Sequence, residues 1–310
     1  MKVALISDVH GNAPALQAVL ADAEGQGVEA VWFLGDVLGY GPLPVSCIKR
    51  LDRWRPPVWL MGNHDLAGIR IWETDQEQPP GIGRLVPTPG DEWRIILWHV
   101  AQLQVGLTAE RWQQFAAAPT WAVAAEGVYV AHGAIRSSDP HDAKNVSGDG
   151  SSYIQPGSPA LDETLDNLEA LSGQGDRPWL LVVGHTHRVG LCRVGWEKPR
   201  QPTWLEGPQL PVNAHESIAL DSTEGEIIVL SPGSAGYPRS LRGDPRAAYA
   251  VVDLEGRRAW FRRVAYDVRE AWAAMMPPPR ELRDAAGRWA EAVQAERAVD
   301  ESAMHREDAS

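Results

Sequence analysis

Five short apolar segments recur in the first 185 residues, and each is flanked by polar residues or glycine. Every segment has four or five residues, most of them Val, Ile, Leu or aromatic. Continuous apolar runs of this length are typical of strands that are buried on both faces of a sheet. The predicted strands cover residues 3–7, 30–34, 57–61, 128–131 and 179–183.

The segment between the first two predicted strands, residues 12–27, has the periodicity of a helix. Leu16, Val19 and Leu20 recur at the spacing that places side chains on one helix face. Asn12 is a suitable N-cap for this helix. A strand, a helix and a strand in this order favour a layered α/β fold.

Longer connections separate the later strands. Residues 72–92 are rich in proline and glycine and predict an irregular insertion. Residues 93–117 return to helical periodicity in two segments, with Thr108 as the cap of the second, and a further helix is predicted over 159–172. Between them, residues 136–157 are rich in Ser, Asp and Gly and predict a surface loop.

The pattern changes from about residue 189. Short strand-like segments separated by turn residues follow, and we predict that they form a second, more antiparallel sheet with a hairpin extension over 190–222. We therefore divide the chain into one domain, residues 1–275, and a C-terminal part, residues 276–310. In this last part a helix over 280–298 is predicted to precede a polar tail.

Composition and charge limit the classes of function. With 310 residues, 44% apolar and 23% charged, the chain can bury a large core. Its net charge of −12 argues against a long nucleic acid as a partner, because proteins that bind one carry basic surfaces. The same charge repels anionic substrates, so a phosphate substrate would need a local positive source such as bound metal ions.

Three features favour a cytoplasmic location and argue against a membrane. The chain has no run of about 18 apolar residues, the minimum for a transmembrane helix. The N-terminal apolar run ends at Asp8 and is too short for a signal peptide. Cys47 and Cys192 are the only cysteines, too few for a disulfide framework, which suits a reducing compartment.

Residues of the kinds that bind metal ions follow each of the five predicted strands at once. In open α/β sheets, ligands bind outside the carboxyl ends of the strands, so five separate segments would deliver side chains to one place. In chain order the motifs are Asp8-Val9-His10, Gly35-Asp36, Gly62-Asn63-His64-Asp65, His132-Gly133 and Gly184-His185-Thr186-His187.

These residue types indicate a centre for first-row divalent metal ions. Imidazole and carboxylate ligands together suit manganese, iron or zinc. Asp8 and His10 would point to the same side if the chain stays extended, and the same holds for His185 and His187. A carboxylate such as Asp36 can bridge two ions about 3.5–4 Å apart, and such a pair can clamp a phosphoryl group.

The motifs D-x-H, G-D, G-N-H-D, a lone His-Gly and G-H-T-H, in this order, resemble those of the calcineurin-like metallophosphoesterase superfamily. The segments SDVHGNAPALQAVL, LGDVLGYGPLP and SPGSAGYPR are similar to its compact bacterial branch of phosphodiesterases and dinucleoside-tetraphosphatase-like proteins. The resemblance covers roughly residues 1–70, 128–135, 179–188 and 228–268. It implies an α/β/β/α sandwich of two mixed sheets flanked by helices.

The resemblance also implies a role for each residue of the motifs. His64 would act as general acid toward the leaving oxygen, and Asp65 would orient it. Manganese is the expected metal, with iron, zinc, nickel or cobalt as alternatives. One ion would be held by Asp8, His10, Asp36 and His187, and a second by Asp36, Asn63, His132 and His185.

Three residues outside these motifs are candidates for substrate contacts. Asn12, at a predicted helix N-terminus, could favour an anion or could only cap the helix. Tyr40 could stack on a base or serve only in a turn. Arg239 could bind a phosphate or belong to a solvated basic loop. His99 has no motif around it and is predicted to be a packing or surface residue.

We therefore expect hydrolysis of a phosphodiester or nucleotide-type phosphate by a hydroxide that two metal ions activate. Phosphate-loop and G-x-S-x-G motifs are absent from the sequence, and neither cysteine has an adjacent histidine. Two alternatives stay open: a non-catalytic scaffold that uses the same fold for protein contacts, and a nuclease. The partner is expected to be a small phosphorylated molecule, and a homo-oligomer is left open.

Overall fold

Strands from the two halves of the chain are interleaved in two six-stranded sheets. In the first sheet, the strand from the N-terminus pairs with a strand from near residue 250. The spatial order is β3 (Val58–Trp59), β2 (Ala30–Phe33), β1 (Lys2–Ile6), β11 (Ala247–Asp253), β12 (Arg258–Val264) and β9 (Ile218–Ala219). The second sheet has the order β4 (Trp121–Ala125), β5 (Val128–Ala131), β6 (Leu180–Val183), β10 (Glu226–Pro232), β7 (Val189–Gly195) and β8 (Thr203–Glu206).

In this computed structural model, Arg239 and the predicted helix over 280–298 lie outside the described residues. The described residues are 1–76, 80–86, 92–172, 177–206, 209–223, 225–237, 244–267 and 269. Among them, every helix lacks the length or the hydrophobicity that a membrane crossing needs.

Both sheets are mixed, as the resemblance implied. The strands β1, β2 and β3 run parallel, and so do β5, β6 and β10, while the remaining pairs in each sheet are antiparallel. The prediction that the strands after residue 189 form a sheet of their own is wrong. Three of them extend the second sheet and three extend the first, because pairing is decided by contacts distant in sequence rather than by local alternation.

Helices cover the outer faces of the two sheets. The helices predicted within 93–117 and over 159–172 are confirmed, and the Thr108 hydroxyl accepts a hydrogen bond from the Arg111 amide at 3.1 Å, as a cap does. The seven α-helices of the described residues are α1 (Ala13–Gly25), α2 (Pro44–Trp54), α3 (Asn63–Thr74), α4 (Ile82–Leu85), α5 (Glu92–Gly106), α6 (Ala109–Ala116) and α7 (Pro159–Ser172), and a short 3-10 helix covers Ala143–Val146.

The core has an inner layer between the sheets and an outer layer under the helices. Val3 and Leu5 of β1 pack between the sheets. Their neighbours Ala4 and Ile6 point the other way and pack with α1 and α2. Removing one large aliphatic side chain from water stabilises the fold by about 1.5–3 kcal/mol, so two buried faces on one strand explain its continuous apolar run.

The loops that follow the strands of both sheets meet at one edge of the sandwich. The His185 amide, from the second sheet, donates to the Asp8 carboxylate, from the first, at 3.1 Å. The segment that follows β10 also reaches this edge, where the Gly236 amide donates to the Asp8 carbonyl at 3.0 Å. The polar motifs therefore share one location even though they come from different sheets.

We predict that Gly236→Ala destabilises the protein, because a Cβ there would lie 1.8 Å from the Val9 carbonyl oxygen. The expected fall in the free energy of unfolding is about 1–3 kcal/mol, measured by urea denaturation. The control is Gly25→Ala, where a Cβ has no neighbour within 4 Å. Equal midpoints for the two variants would contradict the close approach at Gly236.

Candidate metal centre

The seven predicted ligands lie together at the edge of the sandwich where the strand ends meet. Each side chain is buried, and none exposes more than 4% of its surface. Burial of this many polar and charged groups is costly unless they are paired or bind a metal ion. The seven residues are Asp8, His10, Asp36, Asn63, His132, His185 and His187.

The side chains form two groups that meet at Asp36. In the first group, Asp8, His10 and His187 have candidate ligand atoms within 4.8 Å of one another. In the second, Asp36, His132 and His185 meet the same limit. Asp36 Oδ2 lies 3.8 Å from His10 Nε2 and 3.4 Å from His132 Nε2, so it stands between the groups, where a shared ligand would be.

The backbone at these positions is left-handed and not extended. The φ angles are +54° at Asp8, +47° at His10 and +58° at Asp36, and they are +68° at His185 and +59° at His187. The prediction that each pair would point to one side of an extended chain is therefore wrong. Residues with a Cβ avoid this region at a cost of roughly 1–3 kcal/mol each, and such strain concentrates at functional sites.

Backbone carbonyls orient the four imidazoles. A carbonyl oxygen can only accept, so the ring nitrogen that contacts it carries a proton, and the other nitrogen is the one that a neutral ring offers to a metal ion. Partners of this kind fix the tautomer of metal-binding histidines. The pairs are His10 Nδ1 with Leu38 O (2.6 Å), His132 Nδ1 with Leu34 O (2.7 Å), His187 Nδ1 with Tyr237 O (2.7 Å) and His185 Nε2 with Ser147 O (3.0 Å).

Several buried atoms lack a hydrogen-bond partner among the described residues. They are Asp8 Oδ1, Asp36 Oδ2, Asn63 Oδ1 and His132 Nε2. His10 Nε2 and His187 Nε2, whose rings both donate through Nδ1, face each other at 3.1 Å. Burial lowers the pKa of His10 well below its ordinary value, so this ring is neutral and its Nε2 keeps a lone pair. Oxygen and nitrogen lone pairs that converge without donors fit divalent metal ions.

Electrostatics favour a cation at the same place. Burial would raise the pKa of Asp36, but the His132 and His64 rings hold it well below its usual range. Burial also opposes the charged form of His132, yet the Asp36 and Asp8 carboxylates raise its pKa to about 9. For His185 burial prevails and lowers the pKa to about 3. Two ionised carboxylates thus draw positive charge inward, whether it is a proton or a metal ion.

Asn63 and His64 occupy the first turn of α3. Asn63 Nδ2 donates to the Leu85 carbonyl at 2.6 Å, which leaves Oδ1 as the atom able to bind a cation. The backbone amide of His64 donates to Asp36 Oδ1 at 2.9 Å. The centroid of the His64 ring lies 4.8 Å from that of the His10 ring. A His64 nitrogen is also within 4.8 Å of candidate atoms of His10 and Asp36, so distance alone allows His64 to be a ligand or a neighbour.

Asp65 has contacts other than the predicted one. Its carboxylate accepts the backbone N–H groups of residues 36–38 at 2.8, 3.0 and 3.0 Å and that of Gly62 at 3.2 Å. None of its hydrogen bonds goes to His64, so the prediction that Asp65 orients this ring is wrong. The carboxylate instead fixes the first half of residues 36–41, which we call the 36–41 loop. The reason is proximity: three successive loop amides point at Asp65.

The three candidates for substrate contacts have different outcomes. Asn12 caps α1, and its amide group donates to the Gly236 carbonyl at 2.9 Å, while a substrate contact of this residue stays a prediction. The ring of Tyr40 lies beside the centre, 4.6 Å from His10 and 5.1 Å from His64 between centroids. Arg239 lies outside the described residues.

Sequence reasoning missed His99, which is fully buried in α5. Its Nδ1 accepts the Gly39 amide at 3.2 Å, and its Nε2 donates to the Gly41 carbonyl at 2.7 Å. No motif surrounds His99, and its position on the buried face of α5 was the one available signal. The carbonyls that orient the ligand histidines cannot be predicted from the sequence either, because every residue has a backbone carbonyl.

Comparison with known proteins gives consistent results. The sequence profile described as calcineurin-like phosphoesterase matches residues 1–215. An uncharacterized protein of Methanocaldococcus jannaschii is 28% identical over 273 residues, covering 87% of this chain and 90% of that protein. A metallophosphoesterase structure from Sphaerobacter thermophilus has a TM-score of 0.63 and 28% identity, covering 94% of this chain and 100% of that one. A hypothetical protein of Pyrococcus horikoshii OT3 shares the fold, with a TM-score of 0.59 and 18% identity over 91% of this chain and 96% of that one.

We predict that metal binding at pH 7 releases about one proton from His132, because a pKa of about 9 keeps this ring protonated while a metal ion needs it neutral. The affinity for manganese should therefore rise with pH up to about 9. Calorimetry in buffers of different ionisation enthalpy measures the released proton. A His132→Asn variant should release less, and pH-independent binding by the wild type between pH 7 and 9 would contradict the prediction.

Proposed function

The chain belongs to the calcineurin-like phosphoesterase family, and on that basis we propose that it hydrolyses a phosphodiester or nucleotide-type phosphate at a centre of two divalent metal ions. One observation carries the proposal: Asp36 lies between two buried groups of metal-ligand side chains, with Oδ2 3.8 Å from His10 Nε2 and 3.4 Å from His132 Nε2. Such a shared carboxylate is what a pair of ions about 3.5–4 Å apart requires.

The donor set suits manganese, with iron, zinc, nickel or cobalt as alternatives. Asp8, His10 and His187 would hold one ion, Asn63, His132 and His185 the other, and Asp36 would contact both. When bound, such ions supply positive charge to the phosphoryl oxygens and make water more acidic. This charge also offsets the long-range repulsion that a protein of net charge −12 exerts on a phosphate.

His64 is the proposed general acid toward the leaving oxygen. Its position supports this role, because it is fixed through its amide to Asp36 while its ring lies beside His10 and Tyr40. Gly39 lies directly against the ring, and a Cβ at Gly39 would be 2.5 Å from His64 Nδ1. The two proposed metal sites already have three or four ligands without His64, which leaves this imidazole to transfer a proton.

A stacked pair of tyrosines supports a substrate with a planar group, such as a nucleotide. The Tyr40 and Tyr237 rings are 4.5 Å apart between centroids and 12° from parallel. Both are partly buried, and the pair borders His10, His64 and His187. Aromatic side chains next to a reacting phosphate are suited to stack on a base or an aryl group.

The two alternatives are less well supported. A scaffold needs neither converging unpaired ligand atoms nor a strained backbone at five ligand positions. A nuclease that acts on long chains would need a basic surface, and the net charge of −12 argues against it.

We expect the purified protein, reconstituted with manganese, to hydrolyse an aryl phosphodiester such as bis(p-nitrophenyl) phosphate. Asp36→Asn should lose both activity and bound metal, because it weakens both proposed sites together. Activity and metal content are measured on the same samples, with His141→Asn, a change at an exposed histidine, as the control. A fully metal-loaded wild type that is inactive on phosphomonoesters, diesters and pyrophosphates would contradict the proposed function.

On an ester with a poor leaving group, such as a phenyl phosphodiester, His64→Ala should lower kcat by about 100-fold or more, as loss of a general acid does, while the metal content stays that of the wild type. Metal analysis of the purified variant separates the two roles that distance allows. Loss of one ion together with activity would make His64 a ligand, and full activity would exclude it as the acid.

A further inference from the structure

Residues 39–41 form a turn within the 36–41 loop that lies against the rings of His64 and His10. An ideal Cβ at Gly39 would be 2.5 Å from His64 Nδ1 and 3.0 Å from His10 Nδ1, so the backbone there touches both imidazoles. The φ angle of +95° at Gly39 and of +50° at Tyr40 makes the turn left-handed. Any shift of this turn therefore moves the surface against which both rings rest.

Asp65 accounts for only the first half of the loop. It accepts the amides of residues 36–38, and its contacts end there. The second half is held by His99, which accepts the Gly39 amide at 3.2 Å and donates to the Gly41 carbonyl at 2.7 Å. The two hydrogen bonds involve the two different nitrogens of one imidazole, so His99 binds the turn at both Gly39 and Gly41.

The helix that carries His99 is itself packed against the helix that carries His64. Gly68 of α3 is the close point, because a Cβ there would lie 2.5 Å from Leu38 Cδ1 and 3.6 Å from Ile96 Cγ2. Leu38 thus packs against α3 at Gly68, beside α5, and its carbonyl is the one that orients His10. The α5 helix and the 36–41 loop are therefore placed relative to each other by direct contact.

The protonation state of His99 allows its ring to hold the turn from both ends, an arrangement that we call the clamp. Burial lowers its pKa to about 3, so the ring is neutral at physiological pH and keeps a lone pair for the Gly39 amide. A neutral imidazole with a proton on Nε2 is a donor on one side and an acceptor on the other. Both polar atoms of the buried ring are used on the turn.

We propose that His99 is a positioning residue that holds the 39–41 turn and thereby fixes the rings of His64 and His10 for the reaction. This inference rests on the proposed function for its kinetic consequence, whereas the clamp itself is a property of the folded chain. His99 does not touch the reacting atoms in this proposal, and it acts through the turn.

Three substitutions at residue 99 separate the two bonds. His99→Phe removes both while filling a similar volume. His99→Asn keeps an acceptor near the Nδ1 position, and His99→Gln keeps a donor near the Nε2 position. The control is Val100→Ala, which leaves a cavity at a neighbouring buried position of α5 and keeps both bonds of His99.

The first readout is the metal-free protein in amide hydrogen exchange and histidine-ring NMR. His99→Phe should speed exchange of the Gly39 amide by about tenfold or more and shift the His64 ring signals. His99→Asn should retain most of the Gly39 protection, and Val100→Ala should leave both signals near those of the wild type. Unchanged Gly39 exchange in His99→Phe would overturn the clamp, whether or not the protein is an active phosphoesterase.

The second readout is the dependence on leaving group in the manganese-loaded protein. A p-nitrophenyl group leaves with little help from an acid, whereas a phenyl group needs one. His99→Phe should therefore lower kcat on phenyl esters about tenfold more than on p-nitrophenyl esters, with partial recovery in His99→Asn or His99→Gln. Equal losses on both esters, as expected for Val100→Ala, would show a merely structural role. Failure of the wild type on both esters would instead contradict the proposed function and leave the exchange result to decide the clamp.

Discussion

The centre depends on one buried carboxylate whose hydrogen bonds, within the described residues, all come from backbone amides. Asp65, in the first turn of α3, accepts three successive amides of the 36–41 loop and the amide of Gly62. Buried backbone N–H groups need such partners, because each one left unpaired costs about 1–3 kcal/mol. These bonds join the segment after β2 to the segment after β3, so the Asp36 side chain and the Asn63-His64 pair have a fixed separation.

Backbone carbonyls in the 36–41 loop and just before it then orient two of the ligand histidines. The Leu38 carbonyl sets the tautomer of His10, and the Leu34 carbonyl, just before the loop, sets that of His132. This arrangement lowers the stability of the fold in two ways. Five ligand positions have positive φ angles, and several buried oxygen and nitrogen atoms have no hydrogen-bond partner within the described residues. Natural proteins retain such costs where function requires them, and bound cations would offset part of it.

The sequence predicted the fold class and the location of the site because both follow from local patterns. Buried strands of four or five apolar residues are visible in the sequence, and parallel strands bring their carboxyl ends to one edge. The pairing of the strands after residue 189 was not predictable, because β10 and β11 have similar patterns yet join different sheets. The helix α2 was overlooked as well.

Individual roles were harder to predict than the residue set. Asp65 looked like a partner for the adjacent histidine, but its acceptors face loop amides, which carry no side-chain signal. His99 acts 58 and 60 residues away from its own position, so no local motif could reveal it. Asn12 had two possible roles, of which the structure shows the cap.

The central claim is that two metal ions bind on either side of Asp36. Anomalous difference maps of a manganese-loaded crystal, collected at the manganese absorption edge, test it most directly. The account predicts two peaks about 3.5–4 Å apart, one against Asp8, His10 and His187 and the other against Asn63, His132 and His185, with the Asp36 carboxylate between them. A single peak, or two peaks that Asp36 does not join, would contradict it.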